Sequence, residues 1–531
     1  MKNRPRGEMK ILDANCGLGW VPGKTCGARD PDTLLAMMDR VGIEQALVFA
    51  TYARKGNWQQ GNAWLMDAIK GHDRLLPCWV IAPEPLLDIR PAEWVARLKR
   101  AGVGAVRLCP SSQHHLVNPE VCGSLLQALA RARVPVILDF EIVGWGPSLD
   151  WPSIASLATA FPELPLILPG SVLGASRNIH PYFQKHSQLY LDIGAYQEVD
   201  GIASFIREFG AHRAVFGTYF PDRGPEIALG LLHGRQLGPR ARRAIAGGNM
   251  AALIAGRTPQ RVPAEPAGPD AKMPVPAVDV HVHVGGYAFG GEPLTAEQAV
   301  KAFDAWGVQC GVASGLVLIH SQVREANQVI LQACRKFPGR LYGWAFYDAA
   351  QPELSASVCQ EMLNHPFFVG FKVYGPTEKR MLDDPGYNKM FAMADKHRLP
   401  ILAHEDGYED WSKTLTKLGK KWPHANILHA HHGGCQDEAG AARLAALLKK
   451  HDNLWHDTVT SGGPPDTIGH LVRATGGKRL CYGTDLAFMD VDGQNGKVLF
   501  ADLTEVQRAD VLRNNAVRLL PRLRAAGRRA S

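Results

Sequence analysis

The chain has 531 residues, 46% of them hydrophobic, which exceeds the size at which one hydrophobic core stops growing, so at least two domains are expected. Much of the formal charge of +8 sits at the ends, in Lys2, Arg4 and Arg6 and in Arg522, Arg524, Arg528 and Arg529, and no basic stripe interleaved with aromatics offers itself to nucleic acid. The ten cysteines include no Cys-x-x-Cys pair, residues 1–10 lack the apolar run of a signal peptide, and no stretch approaches a membrane span, so a cytoplasmic protein with reduced thiols is expected.

Along the chain, short apolar runs alternate with helical stretches, the pattern of parallel βαβ units buried on both faces. Strands are expected near 10–16, 43–49, 75–81, 103–108, 134–139, 164–168, 188–193 and 213–217. Residues 256–276, GRTPQRVPAEPAGPDAKMPVP, are rich in proline and charge without hydrophobic period and read as a linker. A second series follows near 278–284, 308–318, 340–347, 368–374, 399–405, 426–431, 453–457 and 479–485, with Thr295 set to cap the helix AEQAVKAFDAW. Landmarks recur at one offset of 266: Asp13 and Asp279, Arg74 and Arg340, Gly217 and Gly483, Asn249 and Asn515. A shared spacing at four points implies duplication. The expectation is α/β architecture with two tandem (β/α)8 TIM barrels, at 10–255 and 277–522, followed by a basic tail at 523–531.

Chemistry concentrates in the second unit. In DVHVHVGG at 279–286, His281 and His283 alternate along a strand and project from one face, where two imidazoles can hold one divalent ion or merely hydrogen bond within a core. Further polar residues close later strands: Lys372 in VGFKVYG, His404 in PILAHEDG, His431 in NILHAHHGG and Asp485 in LCYGTD. In a (β/α)8 barrel such strand ends converge on one mouth.

With these motifs in order, residues 277–522 resemble the amidohydrolase superfamily, in the amidohydrolase-related group that includes aminocarboxymuconate semialdehyde decarboxylase. The resemblance implies His281, His283, His404 and Asp485 as ligands of one divalent metal, zinc before manganese or iron, with Asp485 also catalytic. It makes His431 the residue that polarises substrate or water, and Asp279 a supporting residue at the strand end. His429 is expected in a supporting or core role, and His432 on the opposite side of its strand. Lys372 either bridges two metals after carboxylation or sits beside one, and one metal is favoured. Lys372, Trp344, Tyr374 and His320 are candidates to bind substrate at the mouth, and the glycine-rich loop 285–293 is a candidate lid.

The first unit lacks this set. Asn15 and Gly17 stand opposite His281 and His283, Arg107 opposite Lys372, Asp139 opposite His404, Tyr219 opposite Asp485, and Pro169, Gly170 and Ser171 opposite the strand-six histidines. Hydrolysis of an amide, lactone or activated carbon–carbon bond in a small, aromatic or unsaturated acid is the leading expectation. AHHGG departs from the Gly-His-x-Gly-Glu run of aromatic-acid decarboxylases, which leaves non-oxidative decarboxylation as the alternative. A catalytically silent scaffold is the competing class, and the complete ligand set argues against it. The expected partners are a small-molecule substrate and the N-terminal barrel as a built-in pseudo-dimer partner, with Arg54 and Arg177 as candidates to reach across, and a homo-oligomer is left open. No nucleic acid or membrane is expected.

Overall fold

The computed structural model describes residues 9–21, 27–83, 90–141, 149–170, 174–286, 293–315, 322–375, 380–404, 411–431, 438–460 and 462–523. His320, His432 and most of the expected lid and basic tail lie outside the described residues. The chain divides into two compact units, Met1–Gly268 and Pro269–Ser531. No described helix is long and apolar enough to cross a membrane.

The first unit contains strands β1 (Leu12–Leu18), β2 (Gln45–Ala50), β3 (Leu75–Ile81), β4 (Ala105–Leu108), β5 (Val136–Leu138), β6 (Leu166–Leu168), β7 (Leu189–Asp192) and β8 (Ala214–Val215). The second contains β9 (Ala277–Val284), β10 (Val308–Gly315), β11 (Leu341–Phe346), β12 (Phe368–Tyr374), β13 (Pro400–His404), β14 (Asn426–His429), β15 (Leu454–Asp457) and β16 (Leu480–Cys481). Each strand pairs in parallel with the next, giving two eight-stranded sheets in sequential order. First meets last in both: Ala14 N–H donates to the Phe216 carbonyl at 2.8 Å, and Val280 N–H to that of Tyr482 at 3.0 Å. These are two tandem (β/α)8 barrels.

Sequence chemistry explains the elements. Strands β1 and β9 are buried at every position, as expected where a sheet is covered on both faces. Helix Ala296–Trp306 begins with a capping box between Thr295 and Gln298, buries Ala299, Val300, Phe303 and Trp306, and stops at Gly307, whose φ of 80° suits glycine. The lumen of the second barrel is filled by Val278, Val280, Val312, Tyr342, Trp344, Val369, Leu402, Leu428 and Cys481, closed below by Ala516, Leu519 and Leu520 of the terminal helix.

Each duplicated landmark performs the same structural task twice. Arg74 Nε donates to the Glu44 carbonyl and Arg340 Nε to that of Gln309, both at 2.8 Å. Asn249 Nδ2 donates to the carbonyls of Ala211 and Ala214, and Asn515 Nδ2 to those of Gly477 and Leu480. A Cβ on Gly217 would lie 2.4 Å from Asp192 Oδ2, and one on Gly483 would lie 3.0 Å from the Cβ of His281. The repeat therefore preserves scaffold. Because each asparagine satisfies two buried carbonyls, Asn249→Ala or Asn515→Ala should lower the unfolding free energy by about 1–3 kcal/mol in urea denaturation. An unchanged midpoint would contradict the assigned role.

Candidate metal centre

The ligand pair depends on an irregularity in β9. Val278 and Val280 belong to the lumen, and simple alternation would carry His281 and His283 to the outside. Between Asp279 and Val282 the strand holds one more residue than its partner β10, where Gly311 pairs with Asp279 and Ala313 with Val282. This bulge reverses the parity and turns both imidazoles inward. Asp279 braces it, since Oδ1 accepts from His281 N–H at 3.0 Å and Thr484 N–H at 3.1 Å, while Oδ2 accepts from Thr484 Oγ1 at 2.6 Å.

His283 Nε2 lies 2.8 Å from Asp485 Oδ1, His281 Nε2 lies 3.4 Å from the same oxygen, and His431 Nε2 lies 3.9 Å from Asp485 Oδ2. Donor atoms of His281, His431 and Asp485 all fall within 4.8 Å of one another. His404 is half-buried, its ring centred 4.2 Å from that of His431 and 4.3 Å from that of Tyr374. Lys372 is fully buried with Nζ 3.2 Å from His281 Nε2. Behind the pair, Ser314 Oγ lies 3.0 Å from His283 Nδ1, and Asp457 Oδ2 lies 2.7 Å from His281 Nδ1.

Electrostatics suit a cation. Burial, followed by the charge of Lys372 and the neighbouring histidines, holds His281 well below its ordinary value, and burial lowers His283 too. Burial alone would raise Asp485, but the hydrogen bond from His283 and nearby positive charge bring it below the usual carboxylate value. Neutral imidazoles around an ionised carboxylate form the donor set that a borderline divalent ion requires, so the residues present fit a metal.

His429 takes the core role expected of it: Leu428 and Ala430 line the lumen, and His429 packs on Trp411 at a ring separation of 5.0 Å. Other expectations are redrawn. His431 enters the site because its φ of 56° breaks the alternation, and Asp485 does the same at 57°. Both residues were expected within strands, yet β14 ends at His429 and β16 at Cys481. Trp344, expected near the mouth, is fully buried in the lumen with Nε1 donating to the Val280 carbonyl at 2.9 Å. Asp457 was not singled out, although it carries the signal that found the others, a polar residue closing a strand.

In the first unit the equivalent positions form a connected polar network. Arg107 donates to Asp139 Oδ2 and Asn15 Oδ1, both at 2.6 Å, Tyr219 OH donates to Asp139 Oδ1 at 2.7 Å, and Asn15 Nδ2 donates to Asp192 Oδ2 at 2.9 Å. A guanidinium thus supplies the positive charge where the second barrel gathers imidazoles. Arg54 joins the network, 2.6 Å from Asp222 and 3.9 Å from Asp139, and is 4% exposed, so it is held inside its own barrel and does not reach outward. Arg177 is exposed on helix Ser176–Lys185. Among the described residues, no metal-ligating cluster occurs in this unit. Replacing Arg107 by Met should lower stability by about 3–5 kcal/mol, because Asp139 loses its main counter-charge while buried. Chemical denaturation with metal analysis checks this: a loss of metal, or no loss of stability, would contradict the assignment.

Residues 278–522 match the family model described as amidohydrolase. No curated protein matches the chain. Among solved structures it is similar to 2,6-dihydroxybenzoate decarboxylase from Rhizobium, at 17% identity and TM-score 0.36, over 46% of this chain and 97% of that one. It is also similar to 5-carboxyvanillate decarboxylase from Sphingomonas paucimobilis, at 13% identity and TM-score 0.37, over 46% of this chain and 98% of the other. A third is 4-oxalomesaconate hydratase from Rhodopseudomonas palustris, at 14% identity and TM-score 0.39, over 48% and 98% of the respective chains. The match to the amidohydrolase family model thus covers the second unit alone, the part of the chain that carries the histidine and aspartate cluster.

Proposed function

We propose that the second barrel is a metal-dependent hydrolase that binds one divalent ion, zinc before manganese or iron, through His281, His283, His404 and Asp485. Its substrate on this reading is an amide, a lactone or an activated carbon–carbon bond in a small acid. A bound ion of this kind supplies Lewis acidity and a more acidic water. The observation that carries the reading is the placement of Asp485, an ionised carboxylate 2.8 Å from His283 and 3.9 Å from His431.

A carboxylate held ionised at the mouth acts as a base, so Asp485 takes a proton from the attacking water and returns it to the leaving group. His431 Nε2 faces the same space and holds the attacked oxygen as it gains charge. Burial keeps bulk water from competing, since His283, His431 and Asp485 are each at most 5% exposed. Tyr374, edge-on to His404, offers an aromatic wall to an unsaturated or aryl acid, with Lys372 beneath.

The same burial favours decarboxylation as a second reading, because a substrate carboxylate loses hydration on entering such a site. Product analysis in oxygen-18 water separates them, hydrolysis placing the oxygen label in product and decarboxylation releasing carbon dioxide from an organic product that gains only a solvent proton. His431→Ala and Asp485→Asn should each reduce turnover by about 10²–10⁴-fold on a substrate found by screening esters, lactones, amides and aromatic acids. Near wild-type turnover in both variants would contradict the roles given to them.

A further inference from the structure

We propose that Asp457 is a positioning residue that fixes two members of the centre at once, setting the tautomer of His281 and the place of His431. This rests on His281 being a metal ligand. Asp457 closes β15 and is fully buried. Its Oδ2 lies 2.7 Å from His281 Nδ1, and its Oδ1 accepts from the backbone N–H of His431 at 3.0 Å and of Val459 at 3.1 Å.

The first contact acts on ligand chemistry. An acceptor at Nδ1 calls for the proton there, which leaves the lone pair on Nε2. At the other end of the ring Lys372 Nζ, a donor, stands 3.2 Å from Nε2, nearer than Asp485 Oδ1 at 3.4 Å. The imidazole is therefore set with its lone pair toward Asp485, and the Asp457 side chain behind it holds the ring in that orientation. Behind His283 stands the Ser314 hydroxyl, at 3.0 Å, where His281 has a carboxyl group, so the two imidazoles of the pair are held unequally.

The second contact acts on the backbone. His431 takes the left-handed conformation that non-glycine residues rarely adopt, and that conformation delivers its ring to the site. Asp457 Oδ1 holds the N–H at that turn. The first barrel supplies the contrast: Asp192 lies 2.9 Å from Asn15 Nδ2 and accepts from Gly194 N–H at 2.9 Å, but the strand-six position there is Gly170, at which positive φ is readily adopted. The carboxylate persists in both barrels, and its link to a strained histidine belongs to the barrel with the metal cluster.

Asparagine has the shape of aspartate but only one accepting oxygen, so it cannot accept from the His281 ring and the His431 backbone together. In the full-length protein, Asp457→Asn should weaken Zn2+ binding, read by chelator competition, by about 10–100-fold while saturation stays near one equivalent. Added to His281→Ala, the same change should cost no more than about threefold, because its effect runs through the missing ring. Full additivity would overturn the proposal, as would unchanged Zn2+ affinity in Asp457→Asn when His281→Ala binds weakly. Unchanged affinity in His281→Ala would instead remove the ligand reading on which the proposal stands. Nitrogen-15 NMR of histidine-labelled, metal-free wild-type protein tests the tautomer without any substitution. A proton on Nδ1 of His281 is expected, and one on Nε2 alone would overturn the inference.

Discussion

A buried carboxylate at the start of the first strand ties that strand to the last one in each barrel, and the mouth is assembled around this seam. Asp279 accepts from the backbone and hydroxyl of Thr484 and from the backbone of His281, and Asp13 accepts from the same groups of Thr218 and from the backbone of Asn15. Burial pushes Asp279 up to about 7 and Asp13 up to about 6, with the hydrogen bonds opposing the rise. The group is kept at this cost because one side chain closes the ring, braces the bulge and sets the first inward-facing residue. Only in the second barrel is that residue a histidine.

The two mouths are two solutions to one electrostatic problem. Polar residues at converging strand ends, cut off from water, must be paired or neutral. The second barrel uses imidazoles held neutral around Asp485, a set with lone pairs to offer. The first uses Arg107 with Asp139, a pair that offers none, since the guanidinium has only donors and Asp139 is already engaged by Arg107 and Tyr219. Among the described residues, only the second mouth gathers the donors of a metal site.

Most of the architecture was legible in the sequence because it is written in local pattern. Apolar runs marked all sixteen strands to within a few residues, and the capping box at Thr295 marked its helix. The offset of 266 held at Asp, Arg and Asn landmarks, which satisfy backbone groups in both barrels, and at a glycine where a Cβ would crowd its neighbours. Parity was not legible. The bulge in β9 and the left-handed residues at His431 and Asp485 decide which side chains face inward, and they arise from tertiary hydrogen bonds that no periodicity reveals. Alternation put His281 and His283 on one face, and the bulge decides that this face turns toward the mouth. Asp457 escaped notice because its importance lies in what it touches across two strands.

The central claim is that a single divalent ion resides in the second barrel, among His281, His283, His404 and Asp485. Anomalous diffraction from crystals of the full chain grown with Zn2+, recorded on both sides of the zinc absorption edge, tests it most directly. The account predicts one strong peak bounded by those side chains and none beside Asn15, Arg107 and Asp139. A peak in the first barrel, or none in the second at saturating Zn2+, would contradict it.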